Sequence, residues 1–263
     1  MQSGWEESLQ GENRSGGALM GKRYLLLGAS SDLCCTFLRR HRWQEDDEIV
    51  AQYFRNVKEL EKIAQEIPAQ MRLVQADFRD EESTVAFANG LKSEGFVPTH
   101  ILHVPAVPIE NQRFTEITWS DAEGQMTVQC RALIVVLQAF IKQMMKAKQG
   151  RIVIGLSSCT INVPPKYLSS YVMAKYALMG LGKALAVEYA PKNIQVNMVS
   201  PSMMETKFLQ NMHEQVVQQS AAGNPAKRNV TTEDVVGVIE YLFSDANTFI
   251  TGVNIPVTGG DGF

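Results

Sequence analysis

Residues 23–34 read RYLLLGASSDLC, and this stretch decides the fold class. The apolar run from Tyr24 to Leu27 is typical of a short strand that is buried on both faces. Gly28 allows a tight turn after it, and the small residues that follow let backbone N–H groups approach a pyrophosphate at a helix N-terminus. Turns of this kind also occur in many α/β proteins for structural reasons alone.

Similar apolar runs recur along the chain, at residues 48–53, 71–75, 100–103, 151–156, 194–198 and 252–257. Segments with helical spacing lie between them. Leu60, Ile63 and Ile67 form one such set, Val85, Phe87 and Leu91 form a looser one, and residues 116–148 contain the longest helical candidate. This alternation predicts a parallel sheet with crossover helices on both faces. We therefore expect one Rossmann-type, doubly wound α/β domain over residues 22–263, with about seven strands.

Composition and charge narrow the class of protein. The chain has 263 residues, and 25 basic against 28 acidic side chains leave a net charge of −3. Without a basic stripe, the sequence argues against nucleic-acid binding. The longest apolar run, Ala132 to Ile141, is about half the length of a bilayer span, and no secretory signal is visible. We expect a cytoplasmic protein without a membrane anchor.

The cysteines and the N-terminus carry two further expectations. Cys34, Cys35, Cys130 and Cys159 lack the spacing of a zinc site or a disulfide framework, which predicts reduced thiols and no bound metal. Residues 1–21 are polar and rich in Gly and Ser, and they are expected to form a flexible leader outside the domain.

The second apolar run ends in Tyr53-Phe54-Arg55-Asn56, where dinucleotide enzymes distinguish the two forms of the adenosine ribose. An acidic residue at this point binds a 2′-hydroxyl, whereas an arginine accommodates a 2′-phosphate. The run offers Arg55 and no carboxylate, which predicts NADP(H) in preference to NAD(H). The alternative for Arg55 is an ordinary solvated loop residue.

A catalytic pattern follows the strand at residues 151–156. That run ends in Ser157-Ser158, Tyr171 comes thirteen residues after Ser158, and Lys175 follows Tyr171 at helical i, i+4 spacing. A nearby ammonium should lower the pKa of the phenol, so that Tyr171 can exchange a proton with a substrate whose oxygen the serine binds. An isolated Tyr-x-x-x-Lys could equally be an ordinary pair of surface residues. Its occurrence together with the nucleotide-type turn upstream favours a catalytic site.

Five segments in the same order resemble the short-chain dehydrogenase/reductase family: GASSDLC at 28–34, RIVIGLSS at 151–158, SYVMAKYALMGLGKALAVEYA at 170–190, IQVNMVSPSMMET at 194–206 and FITGVNIPVTGG at 249–260. The resemblance covers essentially residues 22–263. It implies hydride transfer between a nicotinamide cofactor and a carbonyl or secondary alcohol, in a homotetramer or dimer. The segment after Tyr171 also favours an oligomer. Its small and apolar residues cover a larger part of the helix surface than a single buried stripe requires.

The resemblance implies roles for individual residues. Tyr171 would be the general acid/base, Lys175 would hold the nicotinamide ribose, Ser158 would orient the substrate oxygen, and Gln129 falls where the family usually has a catalytic Asn. The cofactor would contact Gly28, Ser30, Ser31, Asp32, Leu33, Arg55, Asp77, Phe78, Ala106, Tyr171, Lys175, Met204 and Thr206.

The sequence also departs from the family pattern. Leu27, Asp32 and Cys34 replace the Thr and the last two glycines of the turn Thr-Gly-x-x-x-Gly-x-Gly, Val104-Pro105-Ala106-Val107 replaces Asn-Asn-Ala-Gly, and Ser202 replaces the Gly of a Pro-Gly turn. Asp32 either repels the cofactor phosphates or complements the helix dipole. A non-catalytic scaffold with an eroded nucleotide turn is therefore the alternative to an enzyme.

The segment Met203–Arg228 is fairly apolar, which is typical of a substrate with an apolar portion, such as a 3-oxoacyl chain, or of ordinary helix packing. Within the family, the chain is most similar to the 3-oxoacyl-carrier-protein-reductase-like branch.

Overall fold

Seven parallel strands form a single sheet in the computed structural model, which describes residues 21–209 and 212–262. The strands are β1 Arg23–Leu27, β2 Glu48–Tyr53, β3 Gln70–Gln75, β4 His100–His103, β5 Gly150–Gly155, β6 Ile194–Pro201 and β7 Asn254–Val257. Their order is β3-β2-β1-β4-β5-β6-β7, and every pairing is parallel. The predicted fold class is confirmed. The predicted flexible leader, apart from Gly21, lies outside the described residues.

Helices cover both faces of the sheet. They are α1 Asp32–Arg40, α2 Lys58–Glu66, α3 Glu81–Ser93, α4 Trp119–Met126, α5 Ala132–Ala147, α6 Ser169–Tyr189, α7 Glu214–Gly223 and α8 Thr232–Phe243. The longest helical candidate, predicted within residues 116–148, is a continuous helical stretch, Trp119–Ala147, in which a π-helical turn at Thr127–Arg131 joins α4 to α5. Such turns widen the helix by one residue and are frequent at functional sites.

Two hydrophobic cores lie on opposite faces of the sheet, because successive side chains of a strand point to opposite sides. Leu25 and Leu27 of β1 belong to the core with α3, α5 and α6, whereas Tyr24 and Leu26 belong to the core with α1, α2 and α8. This explains why the strands read as continuous apolar runs. In α3 the buried positions are Thr84, Phe87, Ala88 and Leu91, so the inclusion of Val85 in the apolar face was wrong.

The cysteine side chains are all free and buried. Within residues 21–209 and 212–262, no group of three or more His, Cys, Asp or Glu could hold a metal ion. The continuous helical stretch Trp119–Ala147 is long and apolar enough to cross a membrane, with a mean hydropathy of 1.3. Its most apolar window is 56% buried, and core helices of globular proteins pass the same test.

Candidate active site

The turn after β1 is held by a buried glutamine that the sequence analysis did not single out. The side chain of Gln52, on β2, accepts the N–H of Gly28 at 2.9 Å and donates to the carbonyl of Ala76 at 2.8 Å. Gly28 has φ of +77°, and a Cβ there would lie 3.0 Å from the backbone nitrogen of Pro105. Glycine is therefore required at this position. A polar residue inside the apolar run EIVAQY was the available signal for Gln52.

The altered residues of the turn are accommodated. Cys34, in place of a glycine, is fully buried among the side chains that pack α1 on the sheet. Ser31 caps α1, because its side chain accepts the N–H of Cys34 at 3.3 Å. Asp32 is therefore not the cap; its carboxylate instead accepts the main-chain N–H of Lys207 at 2.7 Å.

Two arginines lie on one aromatic ring beyond β2. The guanidinium carbons of Arg55 and Arg79 are 4.6 and 4.4 Å from the centroid of Phe54. Arg79 also donates to both carboxylate oxygens of Asp77, at 2.7 to 3.2 Å, and this bonding holds the pKa of Asp77 below its usual value. Arg79 was not predicted. Arg79 follows Arg55 by 24 positions in the sequence, and the two residues come together because β2 and β3 are adjacent strands.

Tyr171 and Lys175 lie on one face of α6 and are both buried, with 8% and 3% of their surfaces exposed. The Lys175 Nζ is 5.6 Å from the centroid of the Tyr171 ring and donates to the carbonyl of Gly155 at 2.8 Å. Desolvation lowers the pKa of Lys175 to about 8. The pair is therefore a buried site and not a surface pair.

The pKa of Tyr171 differs from the sequence-based expectation. Burial raises it above the ordinary value for a phenol, and the charge of Lys175 is not among the causes that act on it. The expected lowering by Lys175 is thus not found in this geometry, because the ammonium is directed to the carbonyl of Gly155. Tyr171 keeps its proton at neutral pH.

The two serines after β5 have different roles. The Ser157 side chain opposes the rise in the pKa of Tyr171, which places Ser157 near the phenol. Ser158, the predicted catalytic serine, begins the 3-10 turn Ser158–Thr160, which Ser157 caps. The sequence-based prediction chose Ser158 from its distance to Tyr171. The first serine after β5 is Ser157, so the distance from the strand would have selected Ser157 instead.

Gln129 is fully buried in the π turn behind these residues. Its side-chain nitrogen donates to Oε1 of Gln125 at 2.8 Å, and its main-chain oxygen accepts Nε2 of His103 at 2.7 Å. Its own Oε1 has no partner among the described residues. His103, at the end of β4, was not singled out from the sequence. Its signal was an ionisable residue at the end of a strand that is otherwise apolar.

A cavity of about 500 Å³ opens above the carboxyl ends of the strands. It brings together ten of the predicted residues: Ser30, Ser31, Asp32, Leu33, Ala106, Ser158, Tyr171, Lys175, Met204 and Thr206. Ser157 and Asn56 also line it. Gly28, Arg55, Asp77, Phe78 and Gln129 do not line it. The Phe78 side chain is in the core, 4% exposed and packed on Phe87, so it does not face the cavity.

A smaller cavity of about 230 Å³ adjoins the first and shares Tyr171 and Leu168 with it. Its lining is more polar and includes Glu110, Gln125 and Ser170. The hydroxyl of Ser170 has no partner among the described residues. Tyr171 thus lies where an apolar and a polar cavity meet.

The residues present fit a nicotinamide dinucleotide. The positive φ of Gly28 and the open N-terminus of α1 allow an anionic group to approach the backbone. Arg55 and Arg79 lie on the ring of Phe54 beyond the end of β2, where the adenosine ribose would arrive, and Tyr171 and Lys175 line the cavity.

Known proteins resemble this chain in sequence over most of its length. The family model described as enoyl-(acyl carrier protein) reductase matches residues 41–261. The oxidoreductase UcpA of Salmonella typhimurium is 27% identical over 262 residues, covering 93% of this chain and 95% of that protein. The 3-oxoacyl-[acyl-carrier-protein] reductase FabG of Buchnera aphidicola (strain APS) is 31% identical over 150 residues, covering 57% of this chain and 59% of that protein.

Solved structures share the fold. An NAD⁺-bound xylitol dehydrogenase is 25% identical, with a TM-score of 0.81, and 93% of this chain covers 100% of that chain. A putative NAD(P)-dependent gluconate 5-dehydrogenase from Beutenbergia cavernae, with bound NADP, has a TM-score of 0.83 at 24% identity, covering 92% and 97% of the two chains.

The fold and the site define a nicotinamide-dependent oxidoreductase of the Rossmann type. The chain belongs to the short-chain dehydrogenase/reductase family. Its chemistry is hydride transfer between a nicotinamide cofactor and a carbonyl or secondary alcohol.

Proposed function

We propose that the protein is an NADP(H)-dependent reductase of a carbonyl substrate with an apolar portion, with Tyr171 as the general acid. The burial of Tyr171 and Lys175 side by side in the wall of the cavity carries this proposal. Burying an ammonium is costly, and a chain that had lost its activity would gain nothing from keeping it there. This opposes the alternative of a non-catalytic scaffold.

The proton chemistry follows from the environment of Tyr171. Since burial raises the pKa of Tyr171, the phenol is protonated at neutral pH and can give its proton to the oxygen of a carbonyl substrate. When bound, the cofactor supplies the hydride that reaches the carbonyl carbon. A protonated phenol suits reduction of a carbonyl better than oxidation of an alcohol, which requires a base.

Ser157 and Lys175 support that proton transfer. The Ser157 hydroxyl is beside the Tyr171 phenol and can bind the same substrate oxygen, which fixes its position. Lys175 is cationic below about pH 8, and its ammonium would hold the nicotinamide ribose of the bound cofactor beside the phenol. Ser158 lines the cavity one residue further on and is the second candidate for orienting the oxygen.

The preference for NADP(H) rests on Arg55 and Arg79. Both guanidiniums lie on the ring of Phe54, and the adjacent Asn56 lines the cavity. A 2′-phosphate would meet two cations there. Asp77, the predicted carboxylate that follows β3, is already bonded to Arg79. Solved relatives include both NAD-bound and NADP-bound proteins, so the choice rests on these residues.

The apolar portion of the substrate is proposed from the cavity wall. Met203, Met204, Phe208, Leu209 and Met212 line it, and Phe208 lies 6.2 Å from the ring of Tyr171. A 3-oxoacyl chain fits this lining, and FabG proteins are among the relatives. A screen of 3-oxoacyl thioesters, cyclic ketones and sugar ketones with NADPH tests this. Turnover of the sugar ketones alone would overturn the apolar assignment.

We further propose a cytoplasmic homo-oligomer, a tetramer or dimer. Exposed apolar and small residues form a stripe along α6 at helical spacing: Met173, Tyr176, Gly180, Ala184 and Val187. Packing a second copy along this stripe would bury it and stiffen the helix that carries Tyr171. Light scattering at micromolar concentration tests the proposal, and a stable monomer would overturn it. Gly180→Glu should shift the distribution towards monomer, since a Cβ there meets no atom within 4 Å in the part of the chain that the structure describes.

The cofactor proposal is tested by titrating the protein with NADPH and with NADH while nicotinamide fluorescence is recorded. We expect tighter binding of NADPH. Equal binding or a preference for NADH would overturn the selection, and binding of neither would overturn the cofactor assignment itself.

A further inference from the structure

A contact between residues 175 positions apart joins the nucleotide turn to the substrate segment. One carboxylate oxygen of Asp32 accepts the main-chain N–H of Lys207 at 2.7 Å, and the other lies 3.4 Å from the Lys207 Nζ. The Asp32 side chain is 28% exposed, whereas that of Lys207 is 79% exposed. The carboxylate is thus partly enclosed, with one oxygen on a main-chain donor and the other facing an ammonium.

Asp32 is placed where a negative charge hinders a dinucleotide. It is the first residue of α1, at the helix end that attracts anions, and it lines the cavity with Ser30 and Ser31. Because Ser31 already caps α1, the Asp32 carboxylate is not the group that caps the helix N-terminus. An unscreened carboxylate at this point would repel the phosphates of either cofactor.

Lys207 belongs to the segment that lines the cavity opposite the turn with Ser30, Ser31 and Asp32. Met204 pairs with Val230 in an isolated parallel bridge, and Thr206 and Lys207 line the cavity after it. The segment is therefore fixed at Met204 by Val230 and three residues later by Asp32. The second attachment joins the substrate side of the cavity to the nucleotide side.

We propose that Lys207 is a positioning residue for the cofactor, which acts by screening the Asp32 carboxylate from the cofactor pyrophosphate. The inference rests on the proposed function, since it requires the dinucleotide to bind along α1. It explains how a chain with an acid in the glycine-rich turn still binds an anionic cofactor.

The double-mutant cycle of Lys207→Met and Asp32→Asn tests this through the dissociation constant for NADPH, measured by nicotinamide fluorescence without any substrate. Lys207→Met should weaken binding about 3- to 10-fold, as expected for loss of one partly exposed charge. Asp32→Asn keeps an acceptor for the main-chain N–H and should not weaken binding. In the Asp32→Asn background, Lys207→Met should then have less than about a 2-fold effect.

Three comparisons complete the experiment. Lys207→Arg should retain wild-type affinity, and Lys146→Met, an exposed lysine in the last turn of α5, should have no effect. The effect of Lys207→Met should shrink as ionic strength rises, because the charges are partly exposed.

Equal effects of Lys207→Met in both backgrounds would overturn the inference, since Lys207 would then act on the cofactor directly. Wild-type affinity in the Lys207→Met single variant would overturn it as well. Both results leave the proposed function intact, whereas a wild-type protein that binds neither NADPH nor NADH overturns the cofactor assignment and this inference together.

Discussion

The Nε2 of His103 lies 2.7 Å from the main-chain oxygen of Gln129, and this bond joins the end of β4 to the π turn behind the active site. A carbonyl only accepts, so Nε2 must carry the hydrogen in this bond. Burial and the charge of Lys175 lower the pKa of His103 to about 3. The folded protein therefore keeps the imidazole of His103 in its neutral form.

Acid should destabilise the protein through His103 before its carboxylates titrate. The pKa of His103 is lower in the folded than in the unfolded state, so its contribution is complete above about pH 6.5 and is lost as pH falls towards 3. The free energy of unfolding should fall by up to about 1.4 kcal/mol per pH unit from this residue. Urea denaturation between pH 7 and pH 4.5 measures it.

His103→Gln places an amide donor near the position of Nε2 and cannot titrate, so its stability should depend less on pH than that of the wild type. His213→Gln changes an exposed imidazole at the start of α7 and should leave the slope unchanged. Identical slopes for wild type and His103→Gln would show that His103 is not the residue responsible.

Tyr171→Phe should reduce kcat by about 10²- to 10⁴-fold, because it removes the general acid. Cofactor affinity should change little, since the phenol acts on the substrate. Tyr176→Phe, on the exposed side of the same helix, is the matched control. A Tyr171→Phe variant with a near-wild-type rate would refute the mechanism.

Ser157→Ala should lower kcat more than Ser158→Ala does. The Ser157 hydroxyl is beside the Tyr171 phenol, whereas Ser158 begins the 3-10 turn. Steady-state kinetics on both variants decides between them. A larger loss in Ser158→Ala would restore the assignment made from the spacing to Tyr171.

The rate should fall as pH rises through about 8, because Lys175 loses its charge there. Tyr171 does not account for this change, since burial raises its pKa above the ordinary value near 10. Lys175→Arg cannot lose its proton in this range, so its residual activity should lack the decline. A decline that persists near pH 8 in Lys175→Arg must come from another group.

Arg55→Ala and Arg79→Ala should each raise the Michaelis constant for NADPH, by about 10-fold for Arg55, and leave that for NADH nearly unchanged. Arg79→Ala also releases Asp77, which adds a free carboxylate near the 2′-phosphate. Equal losses for both cofactors would show that neither arginine selects the phosphate.

The sequence by itself determined the parallel doubly wound sheet, the strand positions within one or two residues for most strands, and the Tyr171–Lys175 pair. These features are local: buried strands are continuous apolar runs, and i, i+4 spacing fixes a common helix face. The π turn inside residues 116–148 was not predicted, because its residues have the same apolar periodicity as the helices on either side.

Only the tertiary structure decided the contacts between distant parts of the chain. Strand order brings Arg79 to Arg55, and Lys207 comes to Asp32 across the mouth of the cavity. The pKa direction of Tyr171 also required the structure, since it is the balance of desolvation, which grows with burial, against bonds to neighbours that spacing does not reveal. Local patterns specify which groups face a common edge of the sheet, whereas packing decides which of them touch and how much water they lose.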